Sequence, residues 1–151
     1  MKSPSMRFLC NDHRRELNIN PKQAAQLWQE LILQGRGLFH LQHWEQAVVV
    51  YGNAFEISEM LIANSQTKYS IDRYLRTALE FAYVLRKNQS PCNLKAFPPH
   101  VKKQLSLLNT EQPISHLMQP IEEVIDLPLH MADFWLRELL SLDSINQQVL
   151  H

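Results

Sequence analysis

The residues best suited to chemistry are few and scattered. Cys10 and His13 stand in a Cys-x2-His spacing, and His40 and His43 in a His-x2-His spacing. Together they are donors of the kind that hold tetrahedral zinc, and a zinc-stabilised helical domain is one reading of them. However, His40 and His43 straddle a tight interhelical turn, and the N-terminal segment must fold back to reach them. With 7 His in the chain, two such pairs arise readily by coincidence. Surface histidines, with Cys10 half-buried beside Phe8 and Leu9, are the simpler expectation. Cys92 follows Pro91, and nothing in the sequence activates its thiol. Glu122 and Glu123 are neighbours, and neighbours on a helix point in different directions, so they make no catalytic dyad. At the start of a helix opening on Pro120 they complement its dipole. Gly-x-Ser-x-Gly, phosphate-loop and His-Glu-x-x-His patterns are absent. The reading is of a non-enzyme with no catalytic residue, no cofactor and no metal.

Composition narrows the scaffold. A chain of 151 residues with 45% hydrophobic and 20% charged residues fits one globular domain with a real core. Only 3 Gly argue against a turn-dense β-sandwich, and 2 Cys exclude a multi-bridge secreted framework. The first residues hold no apolar signal region, and no run approaches the roughly 18 apolar residues of a membrane span. A cytoplasmic protein with reduced thiols and no membrane partner is expected.

Charge is balanced overall but segregated along the chain. Residues 1–65 are neutral, residues 66–103 carry a net +6 and residues 104–151 a net −6. The two charged segments either form opposite faces or pack together and neutralise one another. The basic segment, with Arg73, Arg76, Arg86, Lys87, Lys95, Lys102 and Lys103 among Tyr69, Tyr74 and Tyr83, offers an alternative role as a nucleic-acid-associated regulator. Against it stand a pI near 7.1 and the lack of a helix-turn-helix signature.

The hydrophobic period is helical throughout, and no alternating strand pattern of useful length occurs. Asn20-Pro21 reads as an N-cap followed by proline in the first turn. From Lys22 to about His40, the residues Ala24, Leu27, Trp28, Leu31 and Leu38 recur at helical spacing. A very short link leads to a second helix over 44–63, with Trp44, Ala47, Val48, Tyr51, Ala54, Phe55, Ile57 and Met60 as its apolar stripe. A third helix is predicted from an N-cap at Ser70, without a capping box, to about Asn88. Residues 90–100 are predicted to be irregular because of Pro91, Pro98 and Pro99, with a short helix over 99–108. Two more are predicted from Pro120 and from Pro128 to Leu142. The apolar stripe of the last is wide, so it is either well buried or an oligomer contact. The domain organisation expected is an N-terminal segment at 1–19, a helical domain at 20–89 and a capping region at 90–151 packed on the same domain.

Two amphipathic helices with almost no loop must form an antiparallel hairpin. Gly35 sits mid-helix, at a cost of about 1 kcal/mol relative to Ala. Close approach of the second helix, aided by Ala47 and Ala54, is the expected compensation. Leu31, Gly35, Leu38, Trp44, Ala47, Tyr51 and Ala54 resemble, at these intervals, a tetratricopeptide repeat covering about 28–61. Leu31 replaces the usual Trp, Leu38 the usual Tyr, and the closing Pro near residue 59 is missing. Tyr74, Ala78 and Phe81 echo a second first-helix, a degenerate half repeat at about 71–88. Its second half would fall among prolines and is not visible.

What the resemblance implies is an all-α fold, a fragment of a right-handed superhelix capped by C-terminal helices. It implies a non-catalytic adaptor or chaperone-like module that holds a peptide or helix in a concave groove. The groove residues carried over are Gln29, Ile32, Arg36, Phe39 and His40, then Asp72, Leu75, Arg76, Leu79 and Tyr83. Ile32, Phe39, Leu75 and Tyr83 would bury apolar partner surface, while Arg36 and Arg76 would select acidic or C-terminal groups. The carboxylate clamp of chaperone-binding members is not reproduced, because Arg36 and Asp72 stand where it has Asn and Lys. A protein or peptide partner is expected, and a homodimer is compatible with the pattern.

Overall fold

The computed structural model describes residues 11–149, and within them the side chains other than those of Asn11, His13, Arg14, Asn18, Cys92 and residues 142–149. The described residues form seven helices and no strand. They are α1 (Asn11–Ile19), α2 (Pro21–His40), α3 (Trp44–Asn64), α4 (Lys68–Lys87), α5 (Pro91–Ser106), α6 (Ile114–Asp126) and α7 (Leu129–Val149). The all-α expectation holds.

Local chemistry sets the boundaries. The Asn20 side chain accepts from the Gln23 amide at 3.2 Å, and Pro21 occupies the first turn, as its fixed φ favours. The α2–α3 turn closes with the His43 amide donating to Leu38 and the Gln42 amide to Phe39, around a left-handed Gln42 at φ 60°. This is the Schellman arrangement, made here without glycine. The same turn recurs between α4 and α5. Ser90 donates to Leu85 and Gln89 to Arg86, around Gln89 at φ 55°.

That recurrence corrects the sequence reading. The second half of the second hairpin is present, and it is α5, which runs unbroken from Pro91 through Pro98 and Pro99 to Ser106. Internal prolines remove amide donors and crowd the preceding turn. Here Phe97, Val101 and Leu105 are all fully buried, and their packing outweighs that penalty. α6 likewise begins before Pro120 and carries it inside. Glu122 and Glu123 therefore lie in the second half of α6, and complementing the N-terminal dipole is not their role. α4 starts earlier than predicted. Thr67 is its N-cap, and Thr67 and Ser70 exchange side-chain and amide bonds at 3.0 and 3.1 Å, so a capping box does exist.

One core cluster runs from Ile32 on α2 to Leu140 on α7, including Tyr51, Phe55, Phe81, Phe97 and Val124. α5, α6 and α7 thus share this core with the hairpin of α2 and α3. A smaller cluster of Leu17, Ala24, Ile57, Met60 and Leu61 seats α1 against α2 and α3. Among the described residues, no helix is long and apolar enough to cross a membrane.

Candidate functional site: the cleft between α2 and α4

α2 and α4 both pack on α3 and face one another through three cross-links. Trp28 Nε1 donates to Thr77 Oγ1 at 3.1 Å. Arg36 grips Glu80 with Nε and Nη2 at 3.0 and 2.9 Å. Farther along, the rings of Phe39 and Tyr83 lie 5.1 Å apart.

Glu80 is the pivot. Its side chain is wholly buried, yet it receives Arg36 from α2, Tyr51 Oη from α3 at 2.8 Å and Arg76 Nε from its own helix at 3.0 Å. A buried carboxylate is tolerable only when paired and hydrogen-bonded in this way. Burial, reinforced by Glu80, pushes the Tyr51 hydroxyl pKa well above its ordinary value, so the phenol remains a donor.

Toward the N-terminal ends of both helices the seam opens into a cleft of about 920 Å³. α2 lines it with Lys22, Gln29, Ile32, Leu33 and Arg36, and α4 with Tyr69, Asp72, Arg73 and Arg76. The Arg73 guanidinium lies 5.6 Å from the Trp28 ring centre and 5.2 Å from that of Tyr69, a cation sandwiched between two aromatic faces. Burial draws its pKa below the usual arginine value.

Toward the C-terminal ends, the same two helix stripes are covered by α7. Tyr83 donates to Asp133, Arg137 bonds Asp133 at 3.1 Å, and the Arg137 guanidinium lies 5.3 Å from the Phe39 ring. Although partial burial raises the pKa of Asp133, the bonds from Tyr83 and Arg137 outweigh it and hold the carboxyl below its usual range.

The ten residues expected in the groove divide accordingly. Gln29, Ile32, Arg36, Asp72 and Arg76 line the open cleft. Phe39, Leu79 and Tyr83 are buried in the core, and Leu75 packs partly buried against it. Ile32 lines the cleft while only 2% exposed, so it is floor rather than contact surface. His40 is exposed and sets its ring edge-on to Phe39. The rings of Phe39 and Tyr83 are covered by the chain itself, and Arg36 and Arg76 both hold Glu80.

The sequence reading missed Trp28, Leu33, Tyr69 and Arg73 as cleft residues, and Glu80 as the acceptor shared by Arg36, Arg76 and Tyr51. A signal for Glu80 existed, because it stands as a lone acid between Leu79 and Phe81 in the apolar stretch of α4. The basic segment is dispersed. Arg73 and Arg76 face the cleft, Arg86 donates to the Val124 carbonyl at 2.8 Å, and Lys87 sits over Trp44 at 5.4 Å. Lys95, Lys102 and Lys103 are exposed on α5. His40 and His43 are exposed, while Cys10 and the His13 side chain lie outside the described residues. Among the described residues no group of three or more His, Cys, Asp or Glu is placed to hold a metal.

No protein-family model, curated protein or solved structure matches the chain.

Proposed function

We propose that the protein is a non-catalytic protein-interaction module that seats a peptide or helix in the α2–α4 cleft. The observation that carries this reading is the position of α7. It lies across the same two stripes that line the cleft, contacting them through Asp133 and Arg137. A surface that already accommodates one helix at one end has the width and chemistry for another at the other end. The lining fits that use. Leu33 is 52% exposed and Tyr69 68% exposed, beside the cations Lys22, Arg73 and Arg76. Aromatic and arginine side chains beside apolar floor are the composition of binding hot spots. The tetratricopeptide-like spacing of α2 and α3 points the same way.

The test uses the cleft residues that do not hold Glu80. The double variant Lys22→Glu and Arg73→Glu should keep the helical circular dichroism of the parent. It should lose a partner that the parent captures from its native host. A partner retained by the variant rejects this cleft.

A further inference from the structure

We infer that the α2–α4 cleft takes an acidic amphipathic peptide segment, whose side-chain carboxylates meet Arg73 and Lys22 while its apolar residues lie along Leu33 and Tyr69. The inference rests on the reading above that the cleft seats a peptide or helix, and it names the chemistry of that segment.

Arg73 carries the argument. The rings of Trp28 and Tyr69 hold its guanidinium from two sides, so its place is set before a ligand arrives. The side chain is partly buried, and its Nε is shut off from water with no hydrogen-bond partner among the described residues. The other arginines packed at this seam have acids of their own. Arg36 and Arg76 hold Glu80, and Arg137 holds Asp133. Among the described residues no carboxylate pairs with Arg73, nor with the exposed Lys22 on the opposite wall. A guanidinium drawn out of water is costly until a counter-charge reaches it, and a carboxylate entering the cleft supplies one.

The rest of the lining selects the form of the ligand. Lys22 and Arg36 both line the cleft, and the roughly 21 Å of α2 between them is the length of about four helical turns. Leu33 and Tyr69 stand exposed on the two walls, above the buried Ile32. Cations at separate places beside exposed apolar groups fit acids and aliphatic residues spaced along a segment. They do not converge on one point, as a single chain terminus or small anion would require. Asp72 lines the cleft as well and disfavours a polyphosphate chain there.

Selection of a random peptide library displayed on phage, with the full chain as bait, tests this. Each peptide is joined to the coat protein through its carboxyl end, so side-chain carboxylates alone are on offer. The enriched peptides should combine Asp or Glu with Leu, Ile or Phe. Fluorescence anisotropy of a labelled enriched peptide should show binding that weakens as salt rises. Arg73→Gln should weaken it by at least about tenfold, and the exposed Lys22→Glu by less. Glu-to-Gln replacement in the peptide should cost affinity for the parent but little for Arg73→Gln, since the two changes remove one contact. Lys22→Glu, at an exposed position, carries the test should Arg73→Gln fail to fold.

Enriched peptides without acids overturn the inference, as do acidic peptides indifferent to both substitutions. If such peptides nevertheless lose binding to Leu33→Asp, the interaction-module reading stands and only the acidic chemistry is rejected. A library that yields no peptide sensitive to any cleft substitution rejects both. Binding of polyuridylate where no peptide binds rejects both as well and assigns the cleft to nucleic acid.

Discussion

A β-carbon at Gly35 would stand 3.0 Å from Cε2 of the Tyr51 ring and 3.2 Å from its two neighbouring ring atoms. The ring occupies the space that the glycine leaves, and its hydroxyl reaches on to Glu80. The sequence suggests that a glycine in α2 and alanines in α3 let two helices approach. The structure shows a glycine making room for one specific ring, which in turn fixes the carboxylate that joins α2, α3 and α4.

Gly35→Leu is therefore expected to lower stability by about 1–3 kcal/mol through overpacking against a ring that is wholly buried and tethered. Gly37, two residues on, is exposed, and a β-carbon there meets nothing within 4 Å. Gly37→Ala should instead gain about 0.5–1 kcal/mol from helix propensity. Urea denaturation of the two variants checks both. Equal effects of the two substitutions would mean that the Tyr51 contact does not matter.

Removing Glu80 leaves two largely buried guanidiniums and a buried phenol without their common acceptor. Glu80→Ala should cost on the order of 3–5 kcal/mol, the range for breaking a buried ion pair from one side. Chemical denaturation monitored by circular dichroism measures it. A loss below about 1 kcal/mol, the range of surface pairs, would show that the cluster is not the joint between the three helices.

His100 on α5 bonds Glu59 on α3 at 2.7 Å. That bond raises the histidine above its ordinary value of 6.5, against the opposing effects of burial and Lys103. A folded-state pKa above the unfolded one adds stability that is complete below the unfolded value. The contribution fades as pH climbs through the folded value. His100→Gln should thus lower the melting temperature more near pH 6 than near pH 9. A melting difference that does not vary with pH would mean that the contact carries no ionic contribution.

Much of the scaffold was legible because the signals are local. Asn20-Pro21 caps α2, the Trp44–Met60 stripe marks α3, and the short link between these helices forces the hairpin. The failures share a cause. The sequence places Pro98 in an irregular link and makes Pro99 and Pro120 helix starts, whereas buried Phe97, Val101 and Ile121 hold helices that run through all three prolines. Whether packing overrides a proline depends on residues distant in the chain. The site was half legible for a similar reason. Helical spacing identifies which residues of α2 and α4 lie along one stripe, and Gln29, Arg36, Asp72 and Arg76 line one cleft. It does not reveal that α7 covers the far end of that stripe, which removes Phe39 and Tyr83 from the surface. Nor does it reveal that Arg36 and Arg76 are bound to Glu80, 44 and 4 positions away in the chain.

The central claim is that a protein segment sits between α2 and α4. Photo-crosslinking from an amino acid placed at Gln29, an exposed cleft position, tests it most directly, with exposed Gln46 on α3 as the reference. The account predicts a discrete crosslinked species from Gln29, whether with a second copy or another protein, and none from Gln46. The same yield from both positions, or no crosslink from Gln29, would contradict it.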